Sequence, residues 1–190
     1  MAAGTSTTDV QARQIYARFL GGDEDAFVEL VEAYKDGLIG FLEKLVGDVE
    51  VAQDLAIDAF VVVMTPHKPY LGKAAFQTWL YAIGKKLAFK YLRKHARQAY
   101  YSLEDFADET GVSSPEDAML DDADKAQVQT AIRGLPADYR CALYLLFFEN
   151  MSYADVGVVM RKTDGQVRGL VYRAKQVLKA TLESEGFSLA

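Results

Sequence analysis

The chain has 190 residues, 51% of them apolar and 25% charged, with a formal net charge of −6. That describes a folded protein of one or two domains rather than a disordered acidic segment. The single Cys141 excludes an internal disulfide, and His67 and His95 stand 28 residues apart, so neither spacing fits a metal cluster.

The opening MAAGTSTTDV has neither the basic nor the apolar region of a signal peptide. An amphipathic stretch from about Val10 to Leu20 ends at Gly21-Gly22, and Asp23 then caps a longer helix. In it Phe27, Leu30, Val31, Tyr34, Leu38, Phe41, Leu42 and Leu45 recur at helical spacing until Gly47. Asp48 opens the next helix, to about Met64. From Asp9 to Asp58 there are 12 acidic and 4 basic residues.

Thr65-Pro66 and Pro69 break the chain. After a short loop ending at Lys73, a helix is predicted from about Ala74 to about Gln98. Here the charge inverts: Ala59 to Leu103 holds eight Lys/Arg and no Asp or Glu. Trp79, Lys86, Lys90, Arg93 and Arg97 fall on one stripe, and Phe76, Leu80, Ile83, Leu87 and Tyr91 form an apolar stripe on another face. Cations and an indole opposite a buried face suit a polyanion that also offers flat rings, which is nucleic acid.

From 101 to 122 the periodicity fades. Ser113-Ser114-Pro115 lies in this segment, and Glu104 to Asp124 carries nine acidic residues and no basic ones, which reads as a linker. A second domain is predicted over 123–185, the first covering 10–100. Its first helix runs to about Arg133, and the next follows Leu135-Pro136. The apolar run Cys141 to Phe148 places Cys141 in the core and is far short of the ~20 residues that span a bilayer.

Two more helices are each announced by a capping box, Ser152 with Asp155 and Thr163 with Gln166. They span about Tyr153 to Met160 and about Asp164 to Glu183, a helix-turn-helix pattern. Val167, Val171, Ala174 and Leu178 are expected to pack inward, leaving Gln166, Arg168, Gly169, Leu170, Tyr172, Arg173 and Lys175 outward or flanking. Gln can pair with adenine and Arg with guanine or phosphate from a major-groove helix. The fold class expected is all-α.

Three blocks resemble the extracytoplasmic-function class of bacterial RNA polymerase sigma factors. AQDLAIDAFVVVM (Ala52 to Met64) is similar to the family's AEDLxQExFLxxW helix. FQTWLYAIGKKLAFKYLRKHAR (Phe76 to Arg97) is similar to FxxWLxxIARNxAxDxLRRxxR. LPADYRCALYLLFFENMSYADVGVVM (Leu135 to Met160) is similar to LPxxxRxxxxLxxxxxxSYxEIAxxL. Their order and separation also match over about Phe27 to Leu182.

The resemblance implies a transcription initiation factor, not an enzyme. It would bind core RNA polymerase through Asp54, Leu55, Asp58 and Phe60. It would hold the melted minus-ten element with Lys73, Phe76, Trp79, Lys85, Lys86, Lys90, Arg93 and Arg97. Tyr153, Thr163, Gln166, Arg168, Gly169, Arg173 and Lys175 would meet the minus-thirty-five element as duplex. The partners implied are core RNA polymerase, promoter DNA and an anti-sigma factor. The protein would be cytoplasmic, without cofactor, metal or membrane insertion. The chain departs from the family at Gly84-Lys85-Lys86, where Ala-Arg-Asn is usual, and at Lys90, where Asp is frequent. It departs again at Arg161-Lys162, where Gly and an apolar residue are preferred, and at Arg168-Gly169-Leu170, where Lys-Ser-Arg is common. Leu170 would then either touch a thymine methyl or be idle. The alternative function is a sigma-like decoy that occupies an anti-sigma protein and recognises DNA little.

Overall fold

The computed structural model describes the backbone of residues 7–65, 69–102 and 122–184, and the side chains of 9–65, 69–96 and 128–184. Most of the predicted acidic linker, residues 66–68 of the loop and the side chain of Arg97 therefore lie outside the described residues. Among the described residues there are eight α-helices and no strand. They are α1 (Thr7–Leu20), α2 (Glu24–Val46), α3 (Val49–Met64), α4 (Phe76–Ser102), α5 (Asp122–Arg133), α6 (Ala137–Phe147), α7 (Tyr153–Met160) and α8 (Asp164–Ser184).

Capping chemistry sets most of the boundaries. Asp23 Oδ1 accepts the Ala26 N–H at 3.2 Å, and Asp48 Oδ1 accepts that of Val51 at 3.0 Å. Each such cap stabilises by about 0.5–2 kcal/mol. Gly47, at φ 81°, closes α2 by returning its N–H to Glu43 O, a conformation open to glycine without penalty. The Thr163–Gln166 capping box forms in both directions, whereas at Ser152 only the forward bond does and the Asp155 carboxylate accepts the Ser152 hydroxyl instead. Asp155 N–H meets Ser152 Oγ at 3.1 Å; Gln166 N–H meets Thr163 Oγ1 at 3.3 Å, while Gln166 Oε1 accepts the Thr163 N–H at 2.9 Å.

The first four helices form one module. α3 buries Ala52, Leu55, Ala56, Ala59, Phe60 and Val63, a stripe at helical spacing. It packs on α2 and α4, which contribute Leu30, Leu38, Phe41, Leu42, Leu45, Phe76, Leu80 and Tyr81. Gly84, one of the departures from the family pattern, lies where α4 crosses α2: a Cβ there would stand 2.9 Å from Leu38 Cδ1. The missing methyl lets the two helices approach.

The second module, α5 to α8, is not held apart from the first. α6 packs on α2 and α7 on α4, so the buried residues of both modules form a single cluster. Phe41 of α2 stacks on Tyr81 at 5.0 Å between centroids and meets Tyr144 of α6 at 5.8 Å. Arg140, the arginine of the Leu-Pro-x-x-x-Arg block, donates to Leu45 O at the end of α2, at 2.8 Å, to Arg133 O at the end of α5 and to Leu135 O just beyond it. A cation against two helix C-termini opposes their partial negative charge. Cys141 is fully buried, and burial pushes its thiol up to about 12, as befits a core residue.

Candidate polymerase and nucleic-acid interfaces

On α3 the four residues expected at the polymerase divide into two pairs. Asp54 and Asp58 are exposed. Leu55 and Phe60 are buried, at 8% and 7% exposure, because they fall on the stripe that fixes α3 to the core; they are corrected from contact residues to core residues. The outward face instead carries Ile57, Val61 and Met64, exposed by 61%, 55% and 50%. Two carboxylates beside three uncovered apolar side chains make a surface suited to a basic partner with its own apolar anchors. Sequence reading missed Ile57 and Val61. The signal was there, since they are apolar but off the buried stripe.

The loop before α4 and the first turns of α4 form an open cavity of about 160 Å³ lined by Pro69, Tyr70, Leu71, Lys73, Ala74, Trp79 and Ala82, with Val158 of α7. Trp79 is half-buried, its ring 5.3 Å from Tyr70, 5.7 Å from Phe76 and 6.0 Å from Tyr16. Phe76 is completely buried. It is corrected from a DNA contact to the hub of this aromatic group, touching Tyr16, Tyr34, Tyr70 and Trp79. Lys73 is exposed at the cavity rim. Further along α4, Lys86, Lys90 and Arg93 are all exposed. Lys85 is half-buried and lies 4.3 Å from the Phe89 ring. Trp79 thus belongs to the cavity rather than to an open stripe, and the cations continue outward from it.

α7 lies across the N-terminal half of α4. Thr78 is 2% exposed, and its hydroxyl donates to Asp155 Oδ1 at 3.3 Å. Gln77 Nε2 donates to Glu149 Oε2 at 2.8 Å. No sequence signal pointed to Val158 as a wall of the cavity, because that depends on how the modules pack.

In the helix-turn-helix, Val167, Val171 and Ala174 are buried and Leu178 half-buried. Leu170 is buried as well, at 6%; it is a core residue and cannot meet a thymine methyl. Gln166, Arg168, Arg173, Lys175 and Thr163 are exposed, while Tyr153 and Gly169 are half-buried. Several of these are already engaged: Thr163 Oγ1 accepts the Gln166 N–H, and Lys175 lies 4.7 Å over the Phe147 ring. The Gln166 amide oxygen serves the capping box. Arg168 is ion-paired to Asp164 at 2.6 Å and lies 4.2 Å over the Tyr153 ring. Arg161 ends α7 at φ 55°, the left-handed conformation that favours glycine. Gly157 permits the turn to come close, since a Cβ there would stand 2.6 Å from Lys162 O.

Residues 30–98 match the family described as Sigma-70 region 2, and residues 125–178 match Sigma-70, region 4. The chain is 35% identical to the RNA polymerase sigma-H factor of Pseudomonas aeruginosa, over 93% of this chain and 96% of that one. It is 30% identical to the ECF RNA polymerase sigma-E factor of Escherichia coli, over 83% and 86%. A solved complex of the sigma factor RpoE with the anti-sigma factor NepR from Bartonella quintana has the same fold, with a TM-score of 0.68, 22% identity and coverage of 83% of this chain and 96% of that one. CnrH, solved with the cytosolic domain of CnrY, gives a TM-score of 0.65 at 20% identity, covering 93% and 97%. The chain belongs to the extracytoplasmic-function class of RNA polymerase sigma factors, initiation factors that bind core RNA polymerase and direct it to promoter DNA. Among the described residues no helix is long and apolar enough to cross a membrane.

Proposed function

We propose that Asp54 and Asp58, with Ile57 and Val61 between them, form the face that docks on core polymerase. The carboxylates steer a basic surface and the apolar pair is desolvated on contact. An unstacked base of the minus-ten element enters the cavity at Lys73, Tyr70 and Trp79. Lys86, Lys90 and Arg93 then carry the phosphates of the separated strand away from it. The observation that carries this reading is the succession of an aromatic-lined cavity and three exposed cations along one helix. α8 meets the minus-thirty-five duplex through Arg168, Arg173 and Lys175, with Thr163, Gln166 and Gly169 at its entry and Tyr153 supporting Arg168. The protein works by binding alone, with no covalent step, and does so in the cytoplasm.

The working limits of the parts are 10–100 for polymerase and minus-ten binding, 101–122 for the acidic tether and 123–185 for the helix-turn-helix. In the packed arrangement Val158 of α7 forms part of the cavity wall, and separation of α7 from α4 widens that side for a base. A similar fold has been solved with an anti-sigma factor, and a partner of that kind holding α7 against α4 keeps the factor silent. A promoter carrying 2-aminopurine in the minus-ten element tests the reading, since the base fluoresces when unstacked. Core polymerase with the wild-type chain gives a rise in signal, and Trp79→Ala together with Lys73→Ala removes most of it. An undiminished rise in the variant contradicts the assignment of the cavity.

A further inference from the structure

α4 begins without a cap of its own. The residues before Phe76 are Lys73, Ala74 and Ala75, and no side chain among them accepts its first N–H. The acceptor comes from the other end of the module: Asp9 Oδ1 of α1 takes the Phe76 N–H at 2.8 Å across 67 residues of sequence. Asp9 is only 7% exposed, and a carboxylate so placed costs free energy unless fully paired. Its second oxygen is paired, accepting from Arg13 Nε at 2.9 Å. Arg13 reaches on to the loop. Its guanidinium lies 6.0 Å from the Tyr70 ring centroid, and its Nη1 is 3.3 Å from where a Cβ on Gly72 would stand. Further along α1, the Tyr16 hydroxyl accepts the Tyr70 N–H at 3.2 Å. Tyr70 closes the loop on itself by donating its own hydroxyl to Ala74 O at 2.6 Å.

We infer that α1 is a splint for the minus-ten loop, with Asp9 and Tyr16 as positioning residues that fix the loop, and through it the cavity at Trp79, without touching DNA. Simple packing of α1 on the core needs only apolar contacts such as Ala12 and Ile15. The polar contacts go instead to the start of α4 and to the loop backbone, which are the parts that shape the cavity. A preset cavity spares the ordering that capture of an unstacked base otherwise requires. This inference rests on the reading of the cavity given above.

The test uses the full chain with core polymerase and separates core affinity from the rate of promoter opening, read by 2-aminopurine. Tyr16→Phe removes one hydrogen bond and keeps the ring; Asp9→Ala removes the cap, and Asp9→Asn restores a neutral acceptor. Tyr16→Phe and Asp9→Ala are expected to slow opening by roughly three- to tenfold while core affinity stays within twofold, with Asp9→Asn recovering part of the rate. In a Trp79→Ala background the effect of Tyr16→Phe should vanish, as expected of a residue that acts through the cavity. A parallel fall in core affinity and opening overturns the splint in favour of general destabilisation. Unchanged opening in Tyr16→Phe and Asp9→Ala, with Trp79→Ala still impaired, overturns the splint alone. Unchanged opening in Trp79→Ala itself overturns the cavity reading and the splint with it.

Discussion

Gln77 of α4 donates to Glu149 of the α6–α7 loop at 2.8 Å, so a hydrogen bond spans the seam between α4 and the helix-turn-helix module. Burial outweighs the bond from Gln77 and the nearby Tyr81 and Tyr144 hydroxyls, and pushes the Glu149 carboxyl above its ordinary 4.5. The same burial, with Glu149 adjacent, holds the Tyr144 phenol up to about 12.

A carboxyl whose value is raised in the packed form binds its proton more readily there than when the modules part. The contribution of Glu149 to packing is therefore fully present below about pH 4.5 and is lost as pH rises through its raised value. Probes placed on α3 and α8 for intramolecular energy transfer should report progressive separation over that window. Glu149→Gln, which cannot ionise, should flatten the dependence. An identical profile in the variant would show that another group governs the seam.

The two faces of α3 should respond differently to substitution. Asp54→Ala with Asp58→Ala, or Ile57→Glu, should weaken core polymerase binding at least tenfold while leaving the melting temperature within about 2 °C, as is usual for exposed positions. Leu55→Ala should instead cost about 2–5 kcal/mol of stability. Titration of labelled chain with core polymerase, paired with thermal unfolding, distinguishes the two.

Lys86→Ala, Lys90→Ala and Arg93→Ala combined should reduce the salt dependence of open-complex formation. The log–log slope should fall by about 0.7–0.9 for each phosphate that the variant no longer neutralises. Measurements between low and moderate salt check this, and an unchanged slope would take these three residues off the strand.

Arg161 closes α7 at φ 55° with a side chain where glycine is unstrained. Arg161→Gly should raise stability by up to about 1 kcal/mol, part of the gain being offset by the extra freedom of glycine in the unfolded chain. Calorimetry showing a lower melting temperature would mean that the arginine makes an interaction outweighing the strain.

Local rules made the helices legible. Asp23, Asp48, Ser152 and Thr163 each cap the helix that the sequence places after them, and α3 and α7 begin and end as the spacing predicts. The start of α4 was less so, because its cap, Asp9, is distant in sequence. The uncapped Ala74-Ala75 was the one hint. Site residues chosen from family motifs mixed two kinds of position, since a motif records core-forming and partner-facing side chains alike. Leu55, Phe60 and Phe76 proved to be core. The packing of α7 on α4 had no local signature, since it joins Thr78 to Asp155 and Gln77 to Glu149, pairs 77 and 72 residues apart in sequence.

The most direct test of the account is to add the purified chain to core RNA polymerase on fragmented genomic DNA and sequence the 5′ ends of the transcripts. Start sites should gather at a limited set of positions sharing two upstream elements, one near minus ten and one near minus thirty-five. Starts spread as they are with core polymerase alone, while the chain remains bound to it, would contradict promoter recognition by this protein.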